Sequence, residues 1–272
     1  MENTQTYTAN MKLLPILNVV FFIGMVIMNG LANGLPINGK TTGQLSNQYP
    51  NLFVPAGITF SIWGGIYTLL LCFCIYQASS LFSRKMQPSL AMVLNSIGFL
   101  FIINATLNAL WIVVWHYEIL ILSIIFMLGI LGTLIMINSN LKTVQPYLQG
   151  WTGFFIKGAF GAYLGWICIA TIANVTAILV ANGFMTEGIS GESWTIIMII
   201  VGSTIGFITT IRMRNHYIAL AIIWALVGII IARNQDVIYY KNIVYSALAG
   251  IIIMILAILM DSTFVLFSRK GH

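Results

Sequence analysis

The chain has 272 residues, of which 59% are hydrophobic and only 7% are charged. An ordinary soluble domain carries roughly 25% charged residues, so this composition excludes a water-soluble globular protein. The net charge of +6 comes from basic residues that stand singly or in pairs between apolar segments, and this pattern excludes a nucleic-acid partner because it cannot neutralise a phosphate backbone.

A membrane-spanning helix needs about 20 mostly apolar residues, and the sequence contains eight such segments. They cover residues 13–35, 53–78, 91–115, 119–137, 154–180, 194–211, 218–232 and 244–260. The predicted fold class is therefore all-α, a polytopic membrane helix bundle of about eight transmembrane helices. The first segment is predicted to stay in the protein, because no small-x-small cleavage site follows it.

The placement of charge predicts the topology. Eight spans put both termini on one side, together with the loops that follow the second, fourth and sixth spans. The nine basic residues on or near that side are Lys12, Arg84, Lys85, Lys142, Lys157, Arg212, Arg214, Arg269 and Lys270. The opposite side carries Lys40, Arg233, Lys241, Glu187 and Glu192. Basic residues accumulate on the cytoplasmic side, so we predict an integral protein of the bacterial plasma membrane with both termini in the cytoplasm.

The outer loop at residues 36–52 is long and rich in Gly, Asn, Gln and Thr. Loops of this length are more often functional than tight turns are. The sequence has no phosphate-binding Gly loop and no HExxH pair, and Cys72, Cys74 and Cys168 have no partners at metal-ligand spacing. We therefore predict neither a metal site nor an enzyme.

Three spans carry polar and aromatic residues at helical spacing, which places them on one face of each helix. These residues are Thr59, Trp63 and Tyr67 in the second span, Asn104, Asn108, Trp111 and Trp115 in the third, and Tyr163, Trp166, Ala170 and Asn174 in the fifth. An unpaired amide in hydrocarbon is costly. The three faces are therefore predicted to point at other helices, a cavity or a ligand.

The three faces lie at overlapping depths below the outer ends of their helices, so they are predicted to meet in one cavity beneath the outer loop. The alternative is that their Asn and Trp side chains only join helices, through interhelical hydrogen bonds of about 0.6 to 2 kcal/mol each. The motifs Gly161-x-x-x-Gly165 and Gly202-x-x-x-Gly206 predict close helix packing, either within the chain or in a homodimer.

These faces resemble motifs of the tryptophan-rich sensory protein family, also called the translocator protein or TspO/MBR family. The segment 55–67 is similar to the family's proline-containing entry followed by Phe, Trp and Tyr. Residues 104–111 resemble its Gln-x-x-x-Asn-x-x-Trp, with Asn in place of Gln, and residues 163–174 resemble its Tyr-x-x-Trp-x-x-x-Ala-x-x-x-Asn. The sequence departs from the family at Ala162, where Pro is usual, and at Ile178, where Trp is frequent.

The resemblance covers roughly residues 13–182 and implies a five-helix fold for that part. We therefore predict a TspO-like five-helix transmembrane bundle at residues 1–182 and a three-helix transmembrane extension at residues 183–272. Spans six to eight are expected to stand outside the cluster formed by the three polar and aromatic faces.

The resemblance implies a membrane receptor or carrier for a flat hydrophobic small molecule, such as a porphyrin, haem or another tetrapyrrole, or a sterol. Aromatic rings stack on planar rings and Asn amides fix polar substituents. The predicted ligand-binding residues are Trp63, Tyr67, Asn104, Asn108, Trp111, Trp166 and Asn174. The alternatives are a secondary transporter of a small solute and a structural membrane protein without a ligand. Porphyrin degradation is implied by the resemblance alone.

Overall fold

A computed structural model describes residues 9–83, 86–148, 150–184 and 188–270, and the side chains within them except those of residues 9–12 and 263–270. Its helices are α1 (Ala9–Gly34), α2 (Thr42–Asn47), α3 (Ile62–Ala78), α4 (Pro88–Ile97), α5 (Leu100–His116), α6 (Leu120–Val144), α7 (Gly150–Ala181), α8 (Gly191–Met213), α9 (His216–Gln235) and α10 (Lys241–Lys270). The described residues contain no strand. The all-α fold class is confirmed.

Seven described helical segments are long and apolar enough to cross a bilayer, and the bent pair α4 and α5 would make an eighth span. The chain is thus an integral membrane helix bundle. Of the charged residues used to predict topology, Arg84, Lys85 and Glu187 lie outside the described residues. The side chains of Lys12, Arg269 and Lys270 lie outside them as well.

The third predicted span is broken, whereas the sequence predicted one continuous helix. Helix α4 ends at Ile97 and is followed by Gly98, which has φ of 51° and ψ of −135°, and α5 then leaves at an angle of 51° to α4. A side chain is strongly disfavoured at this combination of angles, so the glycine permits the break. The polar and aromatic face of this span, which consists of Asn104, Asn108, Trp111 and Trp115, belongs entirely to α5.

The second predicted span also begins later than expected. Pro55 stands at its start, Ala56 is extended, and a single 3-10 turn at Gly57–Ser61 precedes the α-helix. The Ala56 backbone N–H donates to the carbonyl of Gly228 in α9 at 3.0 Å, a hydrogen bond outside its own helix. Helix α9 therefore fixes how the chain enters α3.

Contacts between loops define the two ends of the bundle. Lys40 of the outer loop binds Glu118, which lies between α5 and α6, and Gly191 at the start of α8 lies near Leu52. We call this the outer end. At the opposite, inner end, the Gln145 side chain donates to the carbonyl of Arg214 at 2.9 Å. This alternation is the one that an eight-span chain requires.

Both glycine motifs pack against other helices of the same chain, which was one of the two alternatives predicted from the sequence. A Cβ added to Gly161 would clash with the Asn215 amide, and one added to Gly165 would clash with the Ile218 carbonyl of α9. Gly202 faces the side-chain ends of Ile169 and Ile172 on α7. Close approach of backbones through glycine thus joins α7 to both α9 and α8.

The expectation that spans six to eight stand outside the cluster of the three polar and aromatic faces is wrong for α9. Trp224 of α9 donates its indole N–H to the Thr59 carbonyl at 2.8 Å, and Gly228 packs directly against the Thr59 side chain. Helix α9 therefore contacts the start of α3 as well as α7. The division at residue 182 remains a prediction.

Candidate functional site

A small cavity lies beneath the outer loop, between α3, α5, α7 and α9, and has a volume of about 60 Å³. We call it the tryptophan cavity because four indoles, those of Trp63, Trp111, Trp115 and Trp166, line it. Other lining side chains come from the outer loop and the α3 entry, including Thr42, Ser46, Phe53, Pro55 and Phe60. The predicted meeting of three helix faces thus occurs for these aromatic residues.

The aromatic rings hold one another in fixed orientations. Trp63 meets Trp166 edge to face, with ring centroids 6.2 Å apart, and meets Tyr163 in the same way at 5.5 Å. Trp111 and Trp115 stack on each other with an interplanar angle of 16°. Offset and edge-to-face pairs are the favoured aromatic geometries. The rings therefore form an apolar wall suited to contact with a planar molecule.

Three indole N–H groups around the cavity are unsatisfied. The Nε1 atoms of Trp111, Trp115 and Trp166 are buried and have no hydrogen-bond partner among the described residues. Buried polar groups in proteins are nearly always paired, and an unpaired donor costs about 1 to 3 kcal/mol. The three residues that carry these unpaired donors all line the tryptophan cavity.

Asn174 also lines the tryptophan cavity, as predicted. Its Nδ2 donates to the Ser123 hydroxyl of α6 at 3.1 Å, and that hydroxyl donates in turn to the Leu120 carbonyl at 2.7 Å. The second Nδ2 hydrogen and the Oδ1 atom of Asn174 remain available for further hydrogen bonds. Helix α6 therefore orients the Asn174 side chain, which can still contact a molecule in the cavity.

Asn104 and Asn108 are placed differently, because neither lines a described cavity. Asn104 donates to the Thr133 hydroxyl of α6 at 2.8 Å. Asn108 accepts from the Asn29 amide of α1 and donates to the Tyr163 hydroxyl of α7, both at 2.7 Å. The alternative interpretation, that amides on these faces join helices, is the one that the structure supports for both residues.

A second space, the α1–α3 cleft, adjoins the tryptophan cavity and has a volume of about 280 Å³. Its lining includes Asn29, Asn33 and Tyr67. Three residues, Thr42, Phe60 and Trp63, line both spaces. Trp63 stacks on Tyr67 with ring centroids 5.3 Å apart. The predicted site residues Trp63 and Tyr67 are therefore together, and Trp63 stands in the wall between the two spaces.

The outer loop covers the tryptophan cavity and is held down by Glu118. This carboxylate accepts from Lys40 Nζ at 3.0 Å and from the Tyr49 hydroxyl at 3.1 Å. The hydrogen bond from Lys40 lowers the pKa of Glu118 below its ordinary value. Partial burial, and next the negative charge of Glu118, raise the pKa of Tyr49 to about 12. At neutral pH Glu118 is therefore ionised and the Tyr49 hydroxyl is protonated, and these are the states in which Glu118 holds the loop.

Two further contacts seat the loop over the tryptophan rings. The Tyr49 ring lies 6.1 Å from that of Trp115, and Leu45 of α2 is fully buried. Helix α2 begins with a capping box in which Thr41 and Gln44 bind each other's backbone N–H groups. A short stable helix thus places Thr42 and Ser46 over the cavity.

The sequence did not identify every residue at this site. Ala225 and Ile229 of α9 line the tryptophan cavity, although the seventh span was expected to lie elsewhere. Small and aliphatic residues carry no signal that separates a cavity wall from ordinary packing. The one available clue was Trp224, a tryptophan outside the three recognised faces. Among the described residues, no group of three His, Cys, Asp or Glu side chains could hold a metal ion.

Comparison with known proteins gives one family. The family model described as TSPO-like protein matches residues 15–260, a range that overlaps all eight predicted spans. No curated protein and no solved structure matches the chain. The matched range extends beyond residue 182 and takes in α8, α9 and most of α10.

Proposed function

This chain belongs to the TSPO-like protein family, and from that premise we propose that it is a membrane receptor or carrier for a flat hydrophobic ligand of the tetrapyrrole or sterol type. The observation that carries the proposal is the tryptophan cavity with its three unpaired indole N–H groups. Aromatic walls contact the faces of a planar ring system, and the N–H groups supply donors for its polar substituents.

The size of the cavity determines how such a ligand would enter. Small-molecule sites usually measure about 300 to 1,000 Å³. The tryptophan cavity alone holds about 60 Å³, whereas the adjoining cleft holds about 280 Å³. Rotation of the half-buried Trp63 side chain out of the shared wall would join the two spaces. A larger ring system, such as a tetrapyrrole, further requires the outer loop to lift.

A binding role is favoured over catalysis by the chemistry of the lining residues. They are aromatic, aliphatic, hydroxyl and amide side chains, which contact and orient a molecule but do not exchange protons near neutral pH. We therefore propose that this protein holds or passes on its ligand without transforming it.

The test of ligand binding is tryptophan fluorescence of the purified protein in detergent, titrated separately with protoporphyrin, haem and cholesterol. At least one should give a saturable change. Trp166→Phe should weaken that binding by about 0.5 to 1.5 kcal/mol, which is the contribution of one aromatic contact beyond area burial. The matched control is Trp151→Phe, since Trp151 lies on the same helix and is 80% exposed.

Two results would contradict the receptor proposal. One is the absence of any saturable change with all three ligands, in which case the aromatic faces serve helix packing alone. The other is equal weakening by Trp166→Phe and Trp151→Phe, which would place binding on the detergent-covered surface.

We also propose that the outer end faces away from the cytoplasm and that the protein lies in a bacterial plasma membrane. The nine-to-three division of basic residues supports this orientation. A cysteine introduced as Gln48→Cys, at an exposed position of the outer loop, should react with an impermeant maleimide on intact cells. The exposed Thr143→Cys at the inner end should react only after lysis. The reverse pattern would invert the topology.

A further inference from the structure

The α1–α3 cleft is open toward the membrane at its outer end. Its lining residues Gly30, Asn33 and Gly64 are exposed, and no heavy atom lies within 4 Å of where a Cβ on either glycine would stand. Farther in, the Asn18 amide donates to the Gln77 side chain at 2.9 Å and holds α1 against α3. The two helices are thus joined toward the inner end and leave an open space near the membrane surface.

Two of the residues that line the cleft, Thr42 and Tyr67, have buried hydroxyl groups without partners among the described residues. Thr42 is only 7% exposed, and its Oγ1 has no hydrogen bond to any described residue. The Tyr67 hydroxyl is likewise buried and unpaired within the described part of the chain. Each hydroxyl can both donate and accept. A ligand hydroxyl or carbonyl in the cleft would therefore remove the cost of two unsatisfied groups.

A third polar side chain that lines the cleft, Asn29, is held in place by two hydrogen bonds. Its Nδ2 donates to the Met25 carbonyl at 2.9 Å and to Asn108 Oδ1 at 2.7 Å. Both amide hydrogens are therefore used, which leaves the Oδ1 atom as an acceptor. The residues that line the cleft thus include one with a free acceptor and two with unpaired hydroxyls.

The polar groups of the cleft are all uncharged. Every described residue that lines the cleft or the tryptophan cavity is neutral. A carboxylate that entered this space would lose its hydration without gaining a cationic partner, which is strongly unfavourable. Burial of an uncharged hydroxyl, carbonyl or ester group costs far less, and a hydrogen bond offsets that cost.

We propose that the α1–α3 cleft is a second compartment of the ligand site, in which the Thr42 and Tyr67 hydroxyls bind the hydroxyl, carbonyl or ester groups of an uncharged amphiphile, and Asn29 Oδ1 accepts from a ligand hydroxyl where there is one. The ring system of that amphiphile lies against Trp63, at the wall shared with the tryptophan cavity. This inference rests on the proposed function, and it narrows the ligand from flat hydrophobic molecules in general to neutral ones with acceptor oxygens.

The experiment compares two probes with the same ring, protoporphyrin and its dimethyl ester, which differ in the charge of the two propionate groups. Tryptophan fluorescence of the full-length protein in detergent reports binding. The ester should bind at least about tenfold more tightly than the free acid, because the acid must bury or strip its carboxylates. Thr42→Val and Tyr67→Phe should each weaken ester binding about three- to tenfold, the effect of one lost neutral hydrogen bond.

Matched controls separate the loss of a cleft hydroxyl from the effect of removing any hydroxyl from the protein. Thr68→Val changes a hydroxyl on the exposed side of α3, where it binds only the carbonyl of Gly64, and Tyr245→Phe changes a phenol that is 63% exposed on α10. Both controls should bind the ester like the parent protein. Unfolding temperatures of all four variants should stay close to that of the parent, because each replacement keeps the side-chain volume.

The possible outcomes distinguish the two proposals. Saturable ester binding that is weakened by Trp166→Phe but unaffected by Thr42→Val and Tyr67→Phe would overturn the cleft compartment and leave the receptor intact. Equal affinity for the acid and the ester would overturn the preference for neutral ligands. If neither porphyrin nor cholesterol binds saturably, the proposed function is overturned and the cleft compartment with it.

Discussion

Gly165→Ala should destabilise the bundle by about 3 kcal/mol, one of the largest effects expected of a single methyl group in this protein. The new Cβ would be forced against the Ile218 backbone carbonyl of α9, and it would also lie 3.0 Å from Ala221 Cβ. A backbone carbonyl in a helix cannot rotate away as a side-chain end can. Helices α7 and α9 must therefore separate, which also disturbs the wall that α9 contributes to the tryptophan cavity.

A graded set of glycine variants measures this effect against controls. Gly202→Ala should cost less, because its Cβ meets the flexible side-chain ends of Ile169 and Ile172. Gly24→Ala should be neutral or slightly stabilising, since open space surrounds that position and alanine favours helix more than glycine does. The measurement is the free energy of unfolding in mixed micelles titrated with SDS. Equal values for Gly165→Ala and Gly24→Ala would contradict the close α7–α9 packing.

Asn108→Leu should destabilise the protein by about 2 to 3 kcal/mol, through the loss of two interhelical hydrogen bonds and the stranding of their partners. Asn108 is fully buried and connects Asn29 on α1 with Tyr163 on α7. Leucine fills a similar volume but neither accepts from the Asn29 amide nor donates to the Tyr163 hydroxyl. Its main effect is therefore expected on folding, with any change in ligand binding following from displaced helices.

The control for this variant is Asn182→Leu, because Asn182 directly follows α7, is exposed, and donates its side-chain amide to the Ile178 carbonyl of α7. It should change the free energy of unfolding by less than about 0.5 kcal/mol. A double-mutant cycle of Asn108→Leu with Tyr163→Phe should give less than the sum of the single effects, since both remove the same hydrogen bond. Additive effects would show that Asn108 and Tyr163 do not interact.

The sequence by itself determined the fold class and most of the spans. Hydrophobic length is a local property of about 20 residues, because backbone groups in a bilayer must be satisfied within the helix itself. The tryptophans at 63, 111 and 166 were also identifiable, since their spacing fixes the helix face on which each lies. Their side chains line one cavity, as that spacing indicated.

Only the tertiary structure decided what each polar residue faces. Asn174 and Asn108 have the same chemistry on comparable helix faces, yet one lines the cavity and the other joins α1 to α7. Helical periodicity gives the direction of a side chain from its own axis. It does not give the neighbouring helix, the crossing angle or the distance between the two axes.

The broken third span and the role of α9 have the same explanation. Residues 91–115 were predicted to form one helix, because hydropathy does not report the positive φ that Gly98 adopts. The approach of α9 to α3 depends on Gly228 packing against Thr59, a contact between positions far apart in the chain. Such contacts arise from the mutual fit of two surfaces, so the residues that complete the tryptophan cavity were decided by packing and not by any local pattern.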